Sequence, residues 1–356
     1  NTSVREGIYN FGKLDQSSGT LDARIIPKKK LAEAQKHLIK KSKKIVFKNL
    51  LDRINYQYGK VIHKMIYEQA VNKIANIQSK EITPDFLENF SIERVRAFDH
   101  NKTLILKKKK DLNSKIAFIE SVERNSPYEK YYYKKGGSIH WIKQLITKKN
   151  IITNCFIKEI TLKNKKIKSV TLSNNKNIKC EKLIWTAPPV SYLSLINKKI
   201  ITTKPRLRNL LIVHFEIDKK INHNMHYVSC YDKNFETYRI TFYSNLREKI
   251  QKKPYNLSCE IITDKSEYNE TKITKKIFME LKKMKVISKK SKKINSFITI
   301  KKNAVVINSP KSLASFKKQI QVCKNSAKNL MLLGRNNFKH ALYLNLVDTY
   351  NQTIKL

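Results

Sequence analysis

At Ile151 the hydrophobic period of this sequence changes. Upstream, Val61, Ile62, Met65, Ile66, Ala70 and Ile74 recur at steps of three and four, which places one apolar stripe along a helix. The spacing predicts a largely helical stretch from Lys28 to Ile77, with Gly59 as a break. Downstream come short apolar groups: Ile151 and Ile152; Phe156, Ile157 and Ile160; Ile167, Val170 and Leu172; Ile178; Leu183, Ile184 and Trp185. Asn164-Lys165 and Asn174-Asn175 separate them, and Asn tolerates the left-handed backbone of tight hairpins. These are short strands with a hairpin at their centre. Helical stripes joined to such strands predict an α/β fold.

The remaining segments follow the same logic. Pro84 is placed to open a helical turn, and Thr103 to Leu106 reads as a short strand before the lysines Lys107 to Lys110, a solvated loop or hairpin face. Leu210 to Ile217 and Tyr238 to Tyr243 are strand-like. Thr271 to Lys285 is predicted helical, with Ile273, Ile277 and Leu281 on one face. Ser309-Pro310 should start another helix, Ser as cap and Pro in the first turn, with Leu313, Phe316, Ile320 and Cys323 inward. The strand Leu330 to Leu333 runs into Gly334-Arg335, and a terminal helix is expected to open at Asn345 to Asp348.

Composition narrows the function classes. The 356 residues, 40% of them hydrophobic, suffice for two structural units. No run of about 18 apolar residues occurs, so no transmembrane helix is predicted. The net charge of +46, from 74 basic and 28 acidic residues, is the loudest number. It would suit nucleic acid, and a nonenzymatic basic nucleic-acid-binding protein stays among the alternatives. Lysine is nevertheless spread over the whole length, arginine is sparse, and only 7 Gly and 8 Pro occur. That distribution reads as compositional bias and argues against nucleic acid as the partner. Five scattered cysteines without a CxxC pair fit a reducing, cytoplasmic location. Cys155 and Cys180 fall in apolar patterns and are expected to fill the core. His223 and His226 lack a third ligand nearby, so no metal site is expected and both read as parts of a solvated loop.

Three constellations remain as candidates for chemistry. Tyr131 to Ile139 places Gly136-Gly137 before a helix near Ser138, with Trp141, Ile142 and Leu145 inward, an arrangement able to hold an anion. Leu183 to Pro189 is a strand that ends in Thr186-Ala187-Pro188-Pro189; ligands of doubly wound sheets lie beyond such carboxyl ends. Leu330 to Asp348 is a strand, Gly334-Arg335, a polar loop and a helix. Each alone is equally an ordinary junction.

Their order resembles the flavin-containing amine oxidase superfamily. It runs Tyr-Lys-Lys-Gly-Gly (131–137 region), helix, Ile152 to Ile160, hairpin, then Ile-Trp-Thr-Ala-Pro-Pro at 184–189. That group includes protoporphyrinogen oxidases, phytoene-desaturase-like enzymes and, more remotely, UDP-galactopyranose mutases. Tyr58-Gly59 to Val71 resembles its "FG" segment and following helix, and Gly334-Arg335 its closing FAD motif, so the resemblance spans Gln57 to Asp348. It implies an incomplete FAD-binding doubly wound (Rossmann-like) domain with an inserted α+β substrate domain. The divisions would be 1–130, a helical and mixed part of the substrate or cap domain; 131–195, FAD-domain strands and hairpin; 196–305, substrate-domain sheet and helix; and 306–356, closing strand and terminal helix.

Carried over by position, the resemblance puts the Ile157 backbone on the adenine and Thr186 to Pro188 (Pro188 included) on the nucleotide. It puts Gly334 and Arg335 near flavin and pyrophosphate, and the N–H groups of Asn345, Leu346 and Val347 at the isoalloxazine edge. Tyr238 and Arg239 would line the substrate pocket, or are plain sheet residues with one exposed face. The implied activity is FAD-dependent oxidation of a small-molecule substrate; a flavin-dependent nucleotide-sugar mutase is the alternative within flavoproteins. No catalytic residue and no oligomeric state is indicated. Two departures stand out. No two glycines have the GxGxxG spacing, and with a first residue other than Met this leads to the expectation of an N-terminally shortened chain. Asn336-Asn337 also replaces the usual small residues of the closing loop.

Overall fold

The apolar stripe between Lys28 and Ile77 is helical in the computed structural model of the chain, which describes residues 2–40, 45–118, 131–132, 137–146, 151–200, 202–246, 253–337 and 342–354. Helix α1 spans Lys28–Leu38, α2 Leu50–Ile62 and α3 Glu68–Ala75, with a π-helical turn His63–Tyr67 joining the last two. Ile62, Ile66, Ala70 and Ile74 are completely buried, and Val61 and Met65 pack at the margin of the same core. The Asn49 side chain caps α2 by accepting the Asp52 N–H. Gly59 is the expected break, at φ 85 and ψ 159. A Cβ there would meet the His37 ring of α1 at 2.9 Å, so both the backbone and the close helix approach require glycine.

The chain divides into two compact units, Asn1–Thr147 with Arg206–Ile307, and Lys148–Pro205 with Asn308–Leu356. The first is built on a seven-stranded sheet. Its strands are β2 (Glu6–Asn10), β3 (Lys13–Asp15), β11 (Arg206–Ile217), β12 (Tyr227–Cys230), β13 (Arg239–Phe242), β14 (Tyr255–Thr263) and β15 (Lys293–Ile307). They lie in the order β15-β11-β14-β13-β12-β2-β3. All neighbours are antiparallel except β12 and β2. Alternation along β11 sorts the two faces. Leu211, Val213, Phe215 and Ile217 pack with Ile277 and Leu281 of helix α10 (Glu270–Lys283). Leu210 and Ile262 pack in the other core with α2 and α3. Short pairs complete the unit: β1 (Thr2–Ser3) with β6 (Tyr131–Tyr132), and β4 (Leu21–Asp22) with β5 (Val95–Arg96). The buried Arg96 guanidinium holds Asp15 at 2.6 Å and the Thr20 carbonyl at 3.0 Å.

Several expectations need correction in this unit. Pro84 stands just before helix α4 (Phe86–Asn89) as expected, but Thr103 to Leu106 lies in helix α5 (His100–Lys107), not in a strand. Asp99 accepts the Lys102 N–H at 2.9 Å and nucleates the helix; Thr103 turns inward while Leu104 and Ile105 stay exposed. A side-chain cap outweighs four residues of strand preference. The lysines that follow join α5 to helix α6 (Lys110–Asn113) and form no hairpin. Helix α7 (Gly137–Ile146) starts where Ser138 predicted, but Ile142 is exposed, as are Ile139 and Ile146. Tyr133 to Gly136, and the side chains of Trp141 and Leu145, lie outside the described residues. Helix α9 (Tyr243–Leu246) follows directly on β13.

The second unit holds the strands predicted downstream of Ile151. Strands β7 (Ile157–Lys163), β8 (Lys166–Leu172) and β9 (Asn177–Lys179) form an antiparallel meander. Asn164 and Lys165 turn the first hairpin with φ of 52 and 54, and Asn175 the second with φ 63. Strand β10 (Leu183–Trp185) pairs in parallel with β16 (Leu330–Leu332). Helices α8 (Pro189–Leu195) and α11 (Pro310–Ser326) bury Tyr192, Leu193, Ile320 and Cys323 in the same core. The Ser309 capping box and Pro310 begin α11 as predicted. Helix α12 (Leu342–Thr353) ends the unit. Ile151 and Ile152 are exposed and precede the first strand, so that group is not part of the meander. Cys155 and Cys180 sit just outside strands and are half-buried; Cys230, Cys259 and Cys323 are the buried thiols.

Gly59→Ala is expected to cost roughly 2–4 kcal/mol from backbone strain and overpacking against His37. A urea midpoint within error of wild type would contradict that account of the kink.

Candidate functional site

Three-residue strands rarely hold a sheet on their own, and β10 and β16 are fixed by what surrounds their carboxyl ends. Leu183 pairs with Leu330, Ile184 with Met331 and Trp185 with Leu332. The Trp185 side chain is buried, edge-on to Tyr192 with centroids 5.6 Å apart, and its indole N–H donates to the Pro188 carbonyl at 3.2 Å. The Tyr192 hydroxyl meets Ser326 Oγ of α11 at 2.8 Å. Pro188 also accepts from the Ser191 hydroxyl at 2.6 Å, so Thr186-Ala187-Pro188 is a fixed loop.

The β16 exit meets this loop directly. The Leu333 N–H donates to the Trp185 carbonyl at 3.1 Å. The Asn336 carboxamide, 3% exposed, donates to the carbonyls of Trp185 at 3.1 Å and Ala187 at 3.0 Å. Gly334 opens the 3-10 turn Gly334–Asn337 with φ 68. A Cβ there would meet nothing nearer than Thr186 Cβ at 3.9 Å, so the backbone has open space beside it. Arg335 is exposed and has no ion pair among the described residues. Thr186 and Pro188 are exposed as well. The result is a pair of adjacent loops at the carboxyl ends of parallel strands, with a guanidinium that has no ion pair among the described residues.

The structure therefore brings Thr186 and Gly334 together, with Pro188 and Arg335 on the same two loops. Ile157 opens β7 in the same unit, beside α8. Asn345, Leu346 and Val347 do not open the terminal helix; α12 is under way from Leu342. Their N–H groups lie in its second turn, where backbone donors are already used within the helix, and Leu346 and Val347 are exposed. Tyr238 and Arg239 belong to the other unit. The Tyr238 N–H pairs with the Glu260 carbonyl at 2.7 Å, its ring lies edge-on to Tyr231, and burial pushes its hydroxyl up to about 12. Arg239 is committed to Glu260 at 2.6 Å. Asn336 is the residue that sequence reading passed over: it counted only as a departure from small residues, and its two acceptors lie about 150 positions upstream.

The histidines also need correction. His226 is 4% exposed, and its Nδ1 accepts the Arg5 N–H at 2.7 Å. His223 is half-buried, with Nε2 against the Val286 carbonyl at 3.2 Å. Both stand in the loop between β11 and β12 as expected, but their rings turn inward and away from solvent; no cluster of three metal-ligating side chains occurs among the described residues.

No protein-family profile matches this sequence, and no curated protein matches it. Solved structures do resemble it. Reduced UDP-galactopyranose mutase superposes with a TM-score of 0.62 at 12% identity, covering 94% of this chain and 72% of that one. A provisionally assigned protoporphyrinogen oxidase from Exiguobacterium sp. 255-15 also gives 0.62, at 9% identity, covering 94% and 76%. The chain has the fold of these two proteins. Its fold class is the α/β, Rossmann-like one that the motif order implied. Among the described residues, no helix is long and apolar enough to cross a membrane.

Two outcomes test this geometry. Asn336→Ala removes both donations, leaving the Ala187 carbonyl without its donor and the Trp185 carbonyl with Leu333 alone, and should cost about 1–2 kcal/mol; an unchanged thermal midpoint would contradict the clamp. Burial and the neighbouring Arg5 lower the His226 pKa. The unfolded state then binds the proton more readily, so the contribution is complete above the unfolded value of about 6.5 and is lost as pH falls through the folded one. His226→Gln should lessen the loss of stability between about pH 7 and 5; equal slopes for both proteins would contradict a buried neutral ring.

Proposed function

We propose that the chain is a FAD-dependent oxidoreductase of the amine oxidase type, acting on a small-molecule substrate. The second unit supplies the cofactor side and the first the substrate side. The observation that carries this reading is the junction of Thr186 to Pro188 with Gly334-Arg335 beyond the carboxyl ends of β10 and β16, the place where open parallel sheets take ligands. The residues fit such a cofactor. Gly334 leaves its backbone open to close approach, and Arg335 carries a charge that no described side chain neutralises.

Bound there, flavin would supply two-electron chemistry that no side chain provides. The chain's own part is binding and orientation. Thr186 to Pro188 and Gly334 would border the nucleotide with main chain held rigid by Asn336. Arg335 would pair with the pyrophosphate through charge-assisted hydrogen bonds. The Ile157 backbone remains the candidate for the adenine. Helix α12 begins by Leu342, so its first-turn donors take the role at the ring edge that the motif order gave to Asn345, Leu346 and Val347. Tyr238 would stay neutral at any physiological pH, as a hydrogen-bonding hydroxyl in the substrate unit. Glu260 holds the Arg239 guanidinium in place.

The mutase is a second reading, favoured by the likeness to reduced UDP-galactopyranose mutase. Commitment of Arg239 to Glu260 weighs against it, because a diphosphate would have to displace that pair. Conversion of UDP-galactopyranose without net redox change would favour the mutase over the oxidoreductase.

Titration of the purified chain with FAD, followed by flavin fluorescence and calorimetry, should give a single site. Arg335→Ala should weaken it about tenfold, the loss of one charge-assisted contact. A chain that takes up no FAD, or an Arg335→Ala variant with unchanged affinity, would contradict this assignment.

A further inference from the structure

The first unit carries an open groove of about 1670 Å3 that the cofactor reading does not use. Its walls come from α3 and α10, and its floor from the β2–β3 turn and the loop 232–236. That turn holds an unexplained residue. Phe11 has φ 50 and is followed by Gly12 at φ 73, two left-handed residues in a two-residue hairpin loop. Asn or Gly normally fills the first of these positions. A left-handed residue with a side chain costs roughly 1–2 kcal/mol. Elsewhere Asn takes most such positions, at 76, 154, 164, 175, 197 and 303, with Ser91, Lys165 and Lys285 at the others, so Phe11 is the one aromatic ring among the described left-handed residues. Burial does not offset the strain, because Phe11 is 44% exposed. The turn is nevertheless held firmly: the Gly12 N–H donates to the Asp232 carboxylate at 2.9 Å, and Asn10 accepts the Phe11 N–H at 3.1 Å. A strained, firmly held and exposed aromatic ring at a groove suits a ligand contact.

Charge and hydrogen-bonding capacity define the ligand. The acids around the groove are largely committed to the protein itself. Asp264 holds Arg206 and Arg208, Glu236 holds Lys276, and Glu280 accepts the N–H groups of Glu236 and Thr237. Lys64, Lys233 and Lys283 line the groove without an ion pair among the described residues. The Lys73 amine sits between the α3 wall and the floor, donating to the carbonyls of Asp232 at 3.2 Å and of Phe235. Gln69 and Asn72 on α3 offer amides that both donate and accept. The volume exceeds the roughly 300–1,000 Å3 of small-molecule pockets.

We propose that this groove binds an acidic peptide segment of a partner protein, with an apolar side chain of that segment against the Phe11 ring. The unpaired lysines take its carboxylates, and Gln69 and Asn72 take its main chain. A phosphate backbone fits less well: it offers the Gln69 and Asn72 amides acceptors only, whereas a peptide main chain offers both donors and acceptors.

Fluorescence anisotropy at physiological salt tests this with three labelled probes on the full chain: a short peptide of alternating glutamate and leucine, an equally long polyglutamate, and an oligothymidylate. The glutamate–leucine peptide should bind about tenfold more tightly than polyglutamate, reflecting the apolar anchor. Phe11→Asn should weaken that peptide about fivefold, with a thermal midpoint equal to or above wild type, because Asn accepts the left-handed backbone. Lys283→Glu should weaken it as well while leaving the midpoint unchanged. Unchanged peptide affinity in Phe11→Asn would overturn the proposal. So would a lowered midpoint in that variant, which would make the ring structural. Oligothymidylate binding as tight as the peptide's would assign the groove to nucleic acid instead.

Discussion

One buried carboxamide joins the two loops on which the candidate site depends. Asn336 spends both N–H donors on the carbonyls of Trp185, which also accepts from the Leu333 N–H, and of Ala187. Each such bond contributes about 1 kcal/mol, and together they hold the β10 and β16 exits in one arrangement. Around that junction the other contacts are consistent. Trp185 seals the floor and donates to Pro188, Tyr192 ties α8 to α11, and Gly334 supplies the one left-handed backbone step. A site needs such rigidity in its main chain before any ligand arrives. Here it comes from packing and hydrogen bonds in a unit whose parallel strands are only three residues long.

The unusual charge has a structural counterpart. With 28 acids against 74 bases, carboxylates are the scarce partner, and several are placed where they satisfy more than one donor. Asp15 and Asp22 flank the buried Arg96, Asp264 holds two arginines, and Glu280 gathers the 236–237 backbone. Lysine excess is tolerated because long, hydrated side chains stay at the surface, where salt screens their repulsion. Lysine number therefore says little about partners. What carries information is where a lysine lacks an acid beside an oddly placed aromatic ring, as at the Phe11 groove.

Much of the fold was legible because its signals are local. The stripe from Val61 to Ile74, the Ser309-Pro310 start and the Asn164-Lys165 hairpin each act through neighbours in sequence, and each appears as predicted. Thr103 to Leu106 misled because strand-forming residues outweighed the Asp99 cap a few positions earlier in the reading, whereas the cap decides the backbone. The terminal helix was placed three residues late, since nothing in Leu342 to Leu344 marks a start. The site was legible only as two separate strand exits. Their junction rests on Asn336 reaching back to Ala187, and the fixing of Arg239 rests on Glu260 across two strands; pairings at that separation leave no local trace.

Hydrogen exchange of the backbone at 184–188 and 333–337, with and without FAD, tests the central claim most directly. The account predicts slow exchange at Leu333 in the free chain, and added protection of both loops together when FAD binds. FAD binding that leaves both loops unprotected, or protection confined to the first unit, would contradict it.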